Sequence, residues 1–231
     1  MKTPREDTAR TRGKLLAAAG EVFAEKGFRD TTIAEISMRA GANIAAVNYH
    51  FGSKEILYSE AWRHAFAKSL QAHPPDGGVA ADAPPEQRLM GQIMALLRRI
   101  SDKDNRAFWF MHREIANPTG LLTEVVREEI MPLRQRTESV VRELLGLCVN
   151  KREARFCEMG IVSQCINPMV VRSRLNQGGK EYDGPFRIDD IEAYARHVVS
   201  FSLAGIAAVR AVAEARRVKR KTKTAGKGGR P

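Results

Sequence analysis

Apolar positions recur every three or four residues along most of the chain, and Val, Ile and Thr nowhere alternate with polar residues over a strand length. No Asn-Gly or Asp-Gly hairpin signal appears between apolar runs. The pattern predicts an all-α protein. From about Asp7 to Lys26, the residues Leu15, Leu16, Ala19, Val22 and Phe23 form one stripe. Gly27 suits a left-handed C-cap, and Phe28 returns to the core. Thr32 and Glu35 make a Thr-x-x-Glu capping box for a helix with Ile33, Ile36 and Ala40 inward. Gly41 ends that helix. Asn43 can cap the next, from Ile44 to about His50, with Ile44 and Val47 anchoring its inner face. Gly52 breaks the chain again, and Ser53 caps a longer helix carrying Ile56, Leu57, Trp62 and Phe66.

The Pro/Gly/Ala stretch "HPPDGGVAADAPPE", His73 to Glu86, is the clearest boundary. Beyond it the pattern predicts helices over about Glu86–Ser101, Asp104–Ala116 and Leu121–Leu147, the last bent near Pro132. A further helix runs from Lys151 to about Cys165, ending near Asn167-Pro168. "NQGGKEYDGP" reads as loop. Asp189 and Asp190 open the last helix, which runs to about Arg217. The expected organisation is a helix-turn-helix domain with its connecting helix over 1–70, a linker over 71–85, a helical domain over 86–217 and a basic disordered tail over 218–231.

The 231 residues, 43% hydrophobic and 28% charged, suit a globular chain. No apolar run reads as long enough to cross a bilayer, and the N-terminus lacks the apolar core of an export signal. The expected location is the cytoplasm. Cys148, Cys157 and Cys165 have no C-x-x-C spacing, which argues against disulfides and structural zinc and for packing as small hydrophobes. Eight of the eleven net positive charges follow Glu214, so basicity alone says little about the rest of the chain.

Function is carried instead by "AGANIAAVNYHFGSKEIL", Ala40 to Leu57. Two short helices joined by a Gly-containing turn, behind an amphipathic helix, describe a helix-turn-helix whose second helix enters the DNA major groove. Such a helix needs small residues, few acids and polar side chains aimed at base edges. Ala45 and Ala46 are small, and their methyls can meet a thymine methyl. Asn48 can pair with adenine. Tyr49, His50 and Lys54 have the reach and donors for phosphates. Thr32 and Asn43, at the helix openings, complete the DNA-contacting set. Each has a plainer reading: His50 as a helix end, Tyr49 as core, Asn48 as surface, the alanines as filler.

"TRGKLLAAAGEVFAEKGFRDTTIAEISMRAGANIAAVNYHFGSKEILYSEAW", Thr11 to Trp62, resembles the DNA-binding domain of the TetR family of bacterial transcriptional regulators. The resemblance lies in A-x-x-x-F-A-x-x-G-F at Ala19–Phe28, T-T-I-A-x-I at Thr31–Ile36 and Y-H-F-x-S-K-E at Tyr49–Glu55. It departs at Asn48, where a second aromatic is common. "FMHREIANPTG", Phe110 to Gly120, is similar to the R-E-x-x-x-P-T segment of the CecR-like branch. The resemblance implies a homodimeric regulator, usually a repressor, that binds a near-palindromic operator, carries Tyr49 and Lys54 on phosphates, and is released by a small effector.

The C-terminal half supplies candidates for the remaining roles. Phe201, Ala204, Gly205, Ala208 and Val212 lie in a small-residue helix suited to a four-helix dimer interface, or to packing within one chain. Trp109 and His112 share a helix face, and with Arg113, Met94, Met131 and Met159 they are candidates to line a pocket for an apolar or amphipathic effector, or are plain core. No phosphate-cradling Gly loop, H-E-x-x-H or G-x-S-x-G occurs, so no enzyme activity, cofactor or metal is expected. A sequence-independent DNA-binding protein dominated by "RRVKRKTKTAGKGGRP" is the rival reading.

Overall fold

The computed structural model describes residues 4–175 and 183–225, and every regular element among them is helical. The order is α1 (Pro4–Lys26), α2 (Ile33–Ala40), α3 (Ile44–Phe51), α4 (Lys54–Ala72), α5 (Pro85–Ser101), α6 (Arg106–Ala116), the single turn α7 (Thr123–Val125), a π turn (Val126–Ile130), α8 (Met131–Leu145), α9 (Lys151–Leu175) and α10 (Ile191–Ala225). Of the expected loop 176–185, residues 176–182 lie outside the described residues.

The chain divides into two compact units. The first is Met1–His73 with Arg99–Met131, the second Pro74–Arg98 with Pro132–Pro231. The segment holding α6 and α7 returns to the N-terminal unit because α6 packs on α1 and α4 through an aromatic cluster. Phe23 meets Tyr58 edge-on at 4.8 Å, Tyr58 meets Phe110 at 4.6 Å, and Phe28 closes on Tyr58 at 5.0 Å. Edge-to-face contacts of this kind add to the burial of large aromatic surface. Trp62 is buried beside this cluster and donates its Nε1–H to the Ala107 carbonyl at 3.1 Å.

In the second unit, Pro74 to Pro84 folds in turns against α5, where Gly77 and Gly91 bring two backbones together. A Cβ at Gly91 would collide with the Asp76 carbonyl, so neither Ala nor anything larger fits. Leu89, Ile93 and Leu97 of α5, Val140, Val141 and Leu145 of α8, Ile161 and Cys165 of α9, and Val198 and Ile206 of α10 are buried. Burial pushes the Cys165 thiol up to about 12, which makes it a packing residue and not a nucleophile.

Three helix boundaries differ from the sequence expectation, each for a local reason. α6 starts at Arg106, two residues late, because Asn105 caps it by accepting from the Phe108 N–H. α9 does not end at Asn167-Pro168 but runs through Pro168 to Leu175. Proline cannot donate to the carbonyl four residues back. That carbonyl belongs to Gln164, and the Tyr194 hydroxyl of α10 donates to it at 2.8 Å. α10 continues into the basic stretch as far as Ala225 instead of stopping near Arg217, since Lys, Arg and Ala favour helix and no Gly or Pro intervenes before Gly226. Residues 226–231 lie outside the described residues. Just before Pro132 the chain makes a π turn, Val126–Ile130, whose wider bonding suits a carbonyl that Pro132 cannot serve.

α10 also corrects the reading of bilayer-length runs. Its stretch Ile191–Lys219 is long and apolar enough, by length and composition alone, to span a bilayer. Only 28% of its most apolar window is buried.

Candidate nucleic-acid interface

The helix-turn-helix is built from caps written beside each helix. The Thr32 side chain accepts from the Glu35 N–H, Asn43 Oδ1 from the Ala45 N–H at 2.9 Å, and Ser53 Oγ from the Ile56 N–H. Glu35 does not complete the reciprocal capping box; its carboxylate pairs with Lys26 at 2.7 Å. Between α2 and α3 the chain turns through Gly41 at φ +61°, a conformation that favours glycine, with its N–H on the Met38 carbonyl. Arg39 ties α2 to α1 through Glu25 at 2.7 Å and holds that carboxyl below its usual range.

α3 is anchored by Val47 and Phe51, both buried. Ile44, expected as an anchor, is instead 48% exposed, because it lies in the first turn, ahead of the contact made by Val47. The outer surface of α3 carries Ala45, Asn48 and Tyr49, all exposed, with Ala46 and His50 half-buried. Tyr49 is 79% exposed, which excludes the plainer reading of it as core. Its ring meets His50 edge-on at 5.1 Å. Lys54, in the first turn of α4, lies over the Phe28 ring at 4.4 Å, a cation–π contact that fixes the side chain while leaving it half-exposed. α3 contains no acid. Met38 is 78% exposed on α2 and was not singled out from sequence. A lone apolar residue on a short capped helix gave no periodic signal.

Sequence reasoning also missed a clamp at the end of α6. Glu114 is buried and accepts from the Tyr58 hydroxyl at 2.8 Å, from the Thr119 N–H and hydroxyl at 2.9 Å, and from the Gly120 N–H at 3.2 Å. Burial, and then the bond to Glu114, push the Tyr58 pKa up, so the phenol remains a donor. Next to it, Arg113 Nε donates to the Ala24 carbonyl of α1 at 2.7 Å. The R-E-x-x-x-P-T-G segment thus fastens α6 to α1 and α4. A carboxylate amid the apolar residues of "FMHREIA" was the available signal.

The remaining candidates are placed as follows. Trp109 and His112 are half-buried on α6, ring centroids 6.2 Å apart, so the expected shared face is real. Arg113 is exposed, with its Nε turned toward α1 on the Ala24 carbonyl. Met94 is half-buried on α5; Met131 and Met159 are exposed, at 40% and 46%. None of the six lines the two clefts seen in the second unit. One cleft, about 540 Å³, lies along Ser139–Ala154, and the other, about 480 Å³, between α9 and α10. Phe201, Ala204, Gly205, Ala208 and Val212 are all exposed on α10. Ala208 and Val212 border the second cleft with Phe156 and Cys157. A Cβ at Gly205, or at Gly160 of α9, would meet nothing within 4 Å, so neither glycine is required by packing inside one chain.

The comparisons with known proteins agree with this geometry. Residues 15–61 match the family of bacterial regulatory proteins of the tetR type, and residues 85–206 match the C-terminal domain of the HTH-type transcriptional dual regulator CecR. The HTH-type transcriptional repressor NicS of Pseudomonas putida is 40% identical over 81 residues, 35% of this chain and 37% of that protein. The dual regulator CecR of Shigella flexneri is 29% identical over 147 residues, 59% of this chain and 66% of that protein. A TetR-like regulator from a Rhodococcus species superposes with a TM-score of 0.64 at 18% identity, over 89% of this chain and 99% of its own, which speaks to the fold. The chain spans only between about a third and two thirds of the curated relatives it matches. An acid-free, outward-facing second helix, set on a capped three-helix head and followed by a CecR-type helical domain, identifies the chain as a member of the TetR family of transcriptional regulators.

Proposed function

We propose that this chain is a cytoplasmic repressor that binds a near-palindromic operator as a homodimer and is released by a small apolar or amphipathic effector. The observation that carries the reading is α3 itself. Its inner side is pinned by Val47 and Phe51, its outer side offers Ala45, Asn48 and Tyr49, and it has no acid to repel phosphate. Asn48 addresses a base edge, and Tyr49, His50 and Lys54 address the backbone.

Homodimerisation is supported by the open face of α9 and α10. Phe156 is 55% exposed and Phe201 63%, beside the space above Gly160 and Gly205. Apolar surface of this kind calls for a cover, and a second copy supplies a self-complementary one. The same cover accounts for a long apolar helix that the single chain leaves mostly unburied, without a bilayer. Two reading helices then address half-sites about 34 Å apart or a multiple of that. The basic stretch of α10 from Arg216 onward adds sequence-independent affinity.

The relative from Pseudomonas putida is named a repressor and the one from Shigella flexneri a dual regulator, which keeps activation as the second reading. The test is a reporter under an operator recovered with the purified chain from a pool of random duplexes. Expression that falls when the chain is supplied supports repression, and expression that rises supports activation. No change with the wild type or with an α3 variant would contradict both.

A further inference from the structure

Several charged side chains among the described residues are paired with an opposite charge. Arg39 meets Glu25, Arg88 meets Glu143, and the buried Glu158 is held by both Nε and Nη2 of Arg134 at 2.9 and 2.7 Å. Arg99, near the end of α5, is 7% exposed, and its Nη1 is out of solvent with no hydrogen-bond partner. No carboxylate offsets its burial; desolvation alone pushes its pKa down to about 10, so the guanidinium is still charged at neutral pH. A lysine there could shed its proton, but an arginine cannot do so at any ordinary pH.

Its surroundings hold it in place. The Arg99 carbonyl accepts from Asn105 Nδ2 at 2.6 Å, and Asn105 is itself buried as the cap of α6. Leu97 and Ile100 beside it on α5 are buried as well. A buried guanidinium without a counter-ion is complementary to an oxyanion, which takes two parallel N–H bonds from it.

We propose that Arg99 is the anion anchor of the effector site and binds the carboxylate of a small amphipathic acid. This rests on the effector-responsive reading above and narrows it from apolar or amphipathic molecules to acids.

The test uses the full chain, first without DNA and then in an operator-binding assay with and without the acid. Thermal unfolding and titration calorimetry are run with sodium octanoate and sodium benzoate, each beside its uncharged amide, at constant ionic strength. At least one acid is expected to bind and raise the unfolding temperature, with its amide at least tenfold weaker. Arg99→Met, which removes an unpaired buried charge at similar volume, is expected to unfold at a higher temperature than the wild type and to lose the acid response. Arg99→Lys keeps the charge without the fork, and is expected to bind the acid at least tenfold more weakly; it serves if Arg99→Met does not fold. Binding of neither acid, equal binding of acid and amide, or an undiminished response in both variants would overturn the proposal. Acid binding that depends on Arg99 but leaves DNA affinity unchanged would uphold the anion site and overturn effector release.

Discussion

Between Ile33 and Ala72 each helix start lies within three residues of the side chain that fixes it: Thr32, Asn43 and Ser53. Between Val126 and Ala225 the decisive partners are distant. Pro168 stays inside α9 because Tyr194, from the next helix, serves the carbonyl that Pro168 leaves open. Arg134 balances Glu158 from 24 residues away. On the outer face of α9 and α10, Phe156 and Phe201 remain more than half exposed. The reading head is encoded locally, whereas the C-terminal unit is encoded through contacts at a distance.

This contrast is broken most severely at the open face of α10. Gly205→Glu with Ala208→Glu should leave helix content and monomer stability nearly unchanged, since both positions face open space. It should yield a monomer by light scattering and reduce operator affinity about 100-fold or more, by losing the second half-site. A dimer that survives the two charges would show that the face is plain surface.

The next effect in size is at the α6 clamp. Glu114→Ala leaves the Tyr58 hydroxyl and the Thr119 and Gly120 N–H groups without their acceptor. It should cost about 3 kcal/mol of stability by chemical denaturation. A loss within experimental error would remove the clamp from the list of what fastens α6 to the head.

Asn48→Ala should act on recognition and spare the fold. Discrimination should fall by about 1–3 kcal/mol at one base pair of each half-site, with the unfolding midpoint unmoved. Uniform weakening on all duplexes would make Asn48 a backbone contact. The smallest effect is Tyr194→Phe, expected to cost about 1 kcal/mol. In a Pro168→Ala background, which restores the missing N–H, that cost should disappear. A cost that persists would mean that Tyr194 contributes through packing alone.

The legible parts of the sequence follow from the same difference. The turn at Gly41, the three caps and the outward placement of Asn48 and Tyr49 were all readable, because a cap and its helix are neighbours in the chain. Ile44 was misread as an anchor, since in so short a helix one position separates the inner from the outer side. Reading Pro168 as a stop followed a sound local rule that a tyrosine 26 residues on overrides. Periodicity shows that Phe110 is buried and not that Phe23 and Tyr58 bury it. The exposed row on α10 was readable as a small-residue stripe, whereas the unpaired charge of Arg99 was not, since no spacing rule reports a missing counter-ion.

The central claim is that a two-fold pair of α3 helices reads base sequence. It is tested most directly by selecting from a pool of random duplexes with the purified full chain at near-physiological salt and sequencing what is retained. A two-fold motif is expected, with half-sites about one helical turn apart or a multiple of it, and it should persist when the chain is cut after Ala215. Recovery of no motif, with binding that vanishes as salt rises and is lost on truncation, would contradict it and assign DNA binding to the basic end of α10.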